Sequence, residues 1–374
     1  MIGKTLTIYA SAPSTAAGGA AAQDVLNAEQ LALEQAGGQV ASFKVVLKPL
    51  AVSAEPTTAR GTAQITANAR KAVLDSSTIA YLGELAPHTS FGSIGITSAQ
   101  DLLQVSPTDT AVELTQKTPA VAGAPDSYYQ SVKTYGLTFG RVVPTSAVEA
   151  QAQVQAMKAL HVQRLYVTND GSSYGAAMAY AVTQDARSTM TVLDGAASAA
   201  KLASSGADAL FYGVSSPAGG AQLFDAVAAV RPKVKLFGPS ALDGDAFASA
   251  LAPSARPNVY ISSPGFLPQD LPSAGRQFAA QFQSRYHHAP SLEAIFGYTA
   301  MGAVLTAMHD AGASANSRAQ VLKHFFTLKN VPSAIGTYTM DPAGDIGFAS
   351  SAPLVVAHFQ AGKLVPFKFV PVPG

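Results

Sequence analysis

Ile79-Ala80-Tyr81-Leu82-Gly83 and, twenty-odd residues on, Leu102-Leu103-Gln104-Val105-Ser106-Pro107-Thr108-Asp109-Thr110 are the two stretches on which the fold turns. Each is a short, largely apolar run that stops at a loop rich in small and hydroxylated residues. A strand with one wet face alternates apolar and polar residues, whereas a strand covered on both faces reads as a continuous run. Between the two, the chain turns helical after His88 from a weak, Gly-rich start. Strand, helix and strand in this order build a parallel pair with a crossover helix.

The same unit extends in both directions. Upstream, Leu6 to Tyr9 reads as the first strand, and Gln23 to Gln35 as a helix with Val25, Leu26, Leu31 and Leu33 near helical spacing before Gly37-Gly38. Phe43 to Leu47 is a second strand and Thr62 to Leu74 the next helix. A second set begins near Arg141: helix 147–160, strand 164–168, helix 174–186, strand 209–212, helix 219–230, then strands 235–237 and 260–262 before Pro264. Helices at 274–286, 292–311 and 319–327 precede a Gly- and Pro-punctuated β tail from Gly336 to Val370. The pattern predicts an α/β protein whose parallel sheets carry helices on both faces.

Composition narrows the partners. A chain of 374 residues suits two lobes, each of roughly 150 to 200 residues with its own core. Hydrophobic residues make up 48% of it, yet no stretch approaches the roughly 18 uninterrupted apolar residues of a membrane-spanning helix. A net charge of +1 gives no field to hold a polyphosphate backbone, so nucleic acid is not an expected partner. The cysteine count of zero removes disulfides, thiolate zinc sites and thiol nucleophiles, and fits either a cytosolic or an exported chain. No basic-then-apolar leader precedes the first strand. The expectation is therefore a cytosolic protein, or an exported one whose leader has been trimmed and replaced.

Open parallel sheets bind ligands beyond the carboxyl ends of their strands, where helix N-termini present free N–H groups and diverging loops leave a crevice. The strand exits here are 11–14, 83–90, 106–110, 169–174, 213–217 and 238–243. Several are dense in hydroxyls, which suit a small polar ligand; phosphate suits them less well without a basic residue nearby.

These loops also carry a resemblance that spans nearly the whole chain. Asp24-Val25-Leu26-Asn27 leading into Leu31-Ala32-Leu33-Glu34, Ala80-Tyr81-Leu82-Gly83, and Val105-Ser106-Pro107-Thr108-Asp109-Thr110 with Leu114-Thr115 resemble the leucine/isoleucine/valine-binding protein family. So do Asn169-Asp170 with Ser173-Tyr174-Gly175, Leu236-Phe237-Gly238-Pro239, and the closing pattern of Phe282, Tyr286, Pro290, Ala294, Tyr298, Asp341 and Gly344-Asp345. The resemblance implies a type I periplasmic binding protein: two Rossmann-like lobes joined by three crossover strands that form a hinge, with ligand in the cleft. Such a protein closes on a solute and delivers it to an ABC transporter membrane permease. It implies an extracytoplasmic monomer, periplasmic or a cell-surface lipoprotein, with its leader absent from this chain, and no cofactor, metal or catalytic residue. Crossings are expected near 140–144, 263–266 and 336–341. The lobes are then residues 1–141 with 265–338 and residues 142–264 with 339–374.

Carried over position by position, the resemblance places the ligand against Glu84, His88, Thr89, Thr108, Asp109, Thr110, Tyr174, Ser215, Ser216 and Ser240. In amino-acid-binding members, hydroxyl loops after the third and fourth strands hold the carboxylate. Thr108, Asp109 and Thr110 keep the second loop, but Pro87 stands where the first should carry a serine, which removes a hydroxyl and an N–H together. His88 and Thr89 are the expected substitutes. The acidic residue that holds the ammonium in relatives aligns with Ser240, leaving Asp243, Asp109 or Glu84 to compensate. This departure shifts the expected ligand toward an amide or an aromatic or short-chain carboxylate and away from an amino acid. Tyr174 would cap or stack on the ligand, and Ser215 and Ser216 stand where relatives are often aromatic.

Plainer roles are open for each. Thr108 and Thr110 also suit capping of the next helix, Tyr174 suits the core, Glu84 suits a solvated loop, and His88 suits the surface. Asp341 to Asp345 has the look of a calcium loop but lacks its ligand spacing and terminal glutamate, so a plain turn is expected. Two rival functions carry different signatures. An enzyme of the dehydrogenase kind on this fold would show a Gly-x-Gly-x-x-Gly after the first strand, and none occurs there. A ligand-sensing receptor or regulator built on the same two lobes differs by an attached effector module, and none is seen in this chain.

Overall fold

The computed structural model of the chain describes residues 4–13, 19–53 and 55–373. The first sheet is formed by β1 (Thr5–Pro13), β2 (Gln39–Val40), β3 (Phe43–Val52), β4 (Thr78–Leu82), β5 (Leu103–Ser106) and β6 (Phe139–Arg141), in the order β2-β3-β1-β4-β5-β6. All pairings in it are parallel except the short β2 edge. The apolar runs behave as their composition demands. Every residue of β4 is buried, as are those of β5, because helices such as Ala20–Gln35 and Ala59–Leu74 cover the sheet.

The second sheet repeats the winding. Its parallel part consists of β7 (Arg164–Asn169), β8 (Thr191–Asp194), β9 (Ala209–Gly213), β10 (Lys235–Gly238) and β11 (Val259–Pro264). A separate antiparallel sheet follows, of β12 (Val331–Ser333), β13 (Gly336–Met340) and β14 (Ile346–Phe348), and after it β15 (Ser351–Ala352), β16 (Leu354–Gln360), β17 (Lys363–Phe369) and β18 (Val372–Pro373). The seven-stranded order is β17-β16-β11-β10-β9-β7-β8, with β16 and β17 antiparallel. Both sheets therefore share one doubly wound order, and their switch points fall between β1 and β4 and between β7 and β9. The expected α/β class with two Rossmann-like sheets is what the chain forms.

The chain leaves the first sheet after Arg141 and leaves β11 at Pro264, near two of the expected crossings. Residues 336–341 lie differently: β13 pairs with β12 and β14, and the chain enters the seven-stranded sheet only at Leu354. Between these passages Arg141 is fully buried. It donates through Nη1 to Asp109 O at 2.7 Å and through Nη2 to Thr115 Oγ1 at 2.8 Å, and its Nε lies 2.8 Å from Asp345 Oδ1. The turn expected at 341–345 is present, closed by Asp341 Oδ1 accepting from the N–H groups of Ala343 and Asp345.

Candidate functional site

Two close approaches fix the loop after β7. Ser172 caps the helix Ser173–Ala186 by accepting from Gly175 N at 3.0 Å. Gly175 then rests on the end of β9, where a Cβ would meet Gly213 O at 2.6 Å, so only glycine fits. That contact sets Tyr174, which is wholly buried, at the head of its helix. Its Oη lies 3.3 Å from Ser240 Oγ in the loop after β10. Thr110 Oγ1, from the loop after β5 of the other sheet, lies 3.4 Å from the same atom. These distances are long for O–H···O bonds, whose usual range ends near 3.0 Å, so the hydroxyls gather without locking to one another.

Ser240 is held from behind. Its N–H and Oγ donate to Glu149 Oε1 and Oε2 at 2.6 and 3.0 Å, and Ser262 Oγ donates to Oε1 at 2.6 Å. Burial pushes the Glu149 carboxyl up to about 7. The position expected to be acidic is a serine, yet a carboxylate from the helix Ser146–Ala159 stands one hydrogen bond behind it. The sequence signal was faint: Glu149 shares a helical face with Ala152, Gln153 and Ala156, all buried.

The loops after β4 and β5 form one knot. Asp109 is fully buried and accepts from the N–H groups of His88, Ser90 and Ala111 at 2.6, 2.9 and 3.2 Å. Its carboxylate therefore clamps the neighbouring loop and is spent as a partner for an ammonium. Thr108 Oγ1 donates to Leu85 O and Thr89 Oγ1 to Ala86 O, both at 2.6 Å. Neither Thr108 nor Thr110 caps the following long helix, whose cap is Thr145. Glu84 is turned inward and almost wholly buried, not solvated: Tyr81 Oη donates to it at 2.7 Å, and burial pushes its carboxyl up to about 8.

His88 adopts a left-handed backbone, φ 69°, and its ring stacks on Phe91 with Tyr128 edge-on. Its Nδ1 lies 2.8 Å from Glu113 Oε1, an ion-pair distance but off the line of a hydrogen bond. An anionic ligand group at His88 would thus compete with a carboxylate already there. Ser215 and Ser216 stand apart from the three hydroxyls. Ser215 donates through N–H and Oγ to Asp170 Oδ2 at 2.9 Å, and Ser216 caps the helix Pro217–Val230. Of the loop 11–14, Ser14 lies outside the described residues, and Ser11 accepts from Asn68 Nδ2 at 3.2 Å. Glu113, unremarked in the sequence, is a fully buried charge inside the apolar run Ala111-Val112-Glu113-Leu114.

No curated protein matches the sequence. Among solved structures, the leucine-binding protein LivK of Thermotoga maritima superposes with a TM-score of 0.76 at 17% identity, covering 98% of this chain and 99% of that one. A Desulfitobacterium hafniense ABC transporter substrate-binding protein in complex with Leu gives 0.75 at 19% identity, over 97% and 100% of the two chains. A solute-binding protein of an ABC transporter from R. palustris, in complex with benzoate, gives 0.68 at 15%, over 98% and 97%. Identities this low establish the fold alone. The family model described as Periplasmic binding protein matches residues 5–358, nearly the full length, and the chain belongs to that family.

Proposed function

We propose that the chain captures a small polar molecule between its two sheets and hands it to the membrane permease of an ABC importer, without chemical change to the ligand. The observation that carries this reading is that Thr110 Oγ1 from one sheet and Tyr174 Oη from the other lie 3.4 and 3.3 Å from the same Ser240 Oγ. Hydroxyls drawn from two separately wound bodies can close on a ligand and part to release it, whereas a catalytic constellation needs fixed partners. An amino acid, an amide, or an aromatic or short-chain carboxylate is the size and polarity the loops suit. Of the expected ligand set, Thr110, Tyr174 and Ser240 form the centre, while Glu84, Thr89, Thr108 and Asp109 are engaged within the loops after the first sheet's strands and Ser215 and Ser216 stand apart.

The reading takes residues 1–141 with 265–338 as one lobe and 142–264 with 339–374 as the other. The last boundary is better drawn after Phe348, because β13 and β14 pair with each other. It also makes the protein an extracytoplasmic monomer that binds no nucleic acid. A thermal-shift screen over the three ligand classes tests capture directly, since a ligand bound only by the folded state raises its melting temperature. A flat response across all three classes removes the reading.

A further inference from the structure

Three buried polar residues lie on one face of the helix Ser146–Ala159, which packs on β11 and β16 of the second sheet. Ser146, Glu149 and Gln153 are each fully buried, and at spacings of three and four they stand in one row along the helix. A buried polar side chain is costly unless it is bonded. Alanine has the higher helix propensity, so the helix itself does not ask for them. Nor does the helix start need the Ser146 hydroxyl, because Thr145 supplies the cap. The partners of the row explain it. Ser146 N–H donates to Thr110 O at 2.6 Å and its Oγ accepts from Val112 N–H at 3.0 Å, so one residue grips the turn that carries Thr110 from both sides. That turn comes from the first sheet. Glu149 grips Ser240 of the second sheet, and Gln153 Nε2 donates at 2.6 Å to both Gly238 O and Ser262 Oγ, which fastens the end of β10 that leads into Ser240.

We propose that this row is the positioning element of the binding seam, and that Ser146, which touches no ligand itself, sets the Thr110 hydroxyl opposite Ser240. This rests on the capture reading and deepens it. An α-helix rises about 1.5 Å per residue, so Ser146 and Glu149 are held about 4.5 Å apart along a rigid axis. Through them the helix fixes the spacing of two loops from different sheets, whose hydroxyls end 3.4 Å apart. Neither loop sets that spacing alone. A hydroxyl misplaced by about 1 Å gives up most of its directional bond to a ligand, so a supporting residue governs affinity from behind.

A double-mutant cycle tests it, by calorimetric titration of the intact chain with leucine, benzamide and benzoate, a probe for each ligand class. With the probe that binds, Ser146→Ala should weaken affinity about five- to tenfold, the effect of a lost hydrogen bond. In a Thr110→Val background, where the hydroxyl it positions is gone, the same substitution should weaken affinity less than about twofold. A structural role alone would lower the melting temperature and leave the affinity ratio the same in both backgrounds. Equal losses in the two backgrounds, or no loss in the first, therefore overturn the proposal while capture stands. Ser146→Cys, which nearly keeps the volume but offers a poor acceptor, runs the same cycle where the alanine variant does not fold. Silence from all three probes on the parent chain removes capture and the positioning role together.

Discussion

Glu149→Gln should make the protein more stable at pH 8 and leave it nearly unchanged at pH 4 to 5. Glu149 is fully buried, and burial moves its carboxyl from 4.5 up to about 7. The sign follows from proton counting. Between those two values the folded state holds a proton that the unfolded chain has lost, so stability falls as pH rises through the window and levels off above it. The span corresponds to about 3 kcal/mol at 1.36 kcal/mol per pH unit, an order-of-magnitude figure. Glutamine can accept from Ser240 N and Ser262 Oγ through Oε1 and turn Nε2 toward Ser240 Oγ, so the cradle survives without its charge. Glu84, raised to about 8 by burial, tilts the parent's own pH profile in the same direction, so the comparison must be made as a difference between variant and parent. Urea unfolding of both at pH 5 and pH 8 measures it. The variant's gain should be about 2 to 3 kcal/mol larger at the higher pH. A gain of equal size at both values would mean that Glu149 is not held protonated by burial, and the argument would fail.

Three further outcomes follow from the same geometry. Thr110→Val and Tyr174→Phe each remove one hydroxyl from the seam and should weaken ligand binding by about three- to tenfold with an unchanged melt. Tyr174→Ala would instead open a core cavity beside a fully buried ring and confuse the reading. Arg141→Met should lower unfolding stability by about 3 to 5 kcal/mol, because it strands buried Asp345 next to Thr115; denaturant titration measures the loss. Gly213→Ala drives a methyl into Gly175 O and should displace the start of the Ser173–Ala186 helix. Ligand affinity should therefore fall more than the melting temperature does.

What could be read in the sequence was what depends on runs of neighbours. Residues 79–82 and 103–105 announce themselves because a strand buried on both faces needs apolar residues throughout. β8 escaped notice for the opposite reason: Thr191-Val192-Leu193-Asp194 is a half-exposed edge, and two apolar residues between polar ones carry little signal. The tail strand at 336–340 was seen as a strand but not as part of a hairpin sheet, since pairing partners are set by the turn at 341–345 and not by the strand's own residues. The strand exits that meet at the seam were legible too, because sheet direction alone places them at one end.

What could not be read was substitution across space. Ser240 lies 91 positions from the glutamate that sits behind it. His88 and Glu113 come from different loops, which meet only once β4 and β5 have paired. A serine at an acidic position says that a carboxylate is missing from that point of the chain, and it invites the conclusion that the ligand has no ammonium. The same serine in three dimensions has the Glu149 carboxyl directly behind it. Charge is a property of a volume, not of a column in the sequence. The inference from Ser240 alone therefore points toward carboxylate ligands, yet Glu149, held by donors from Ser240 and Ser262, keeps an acid in the same volume, and only the folded arrangement shows it.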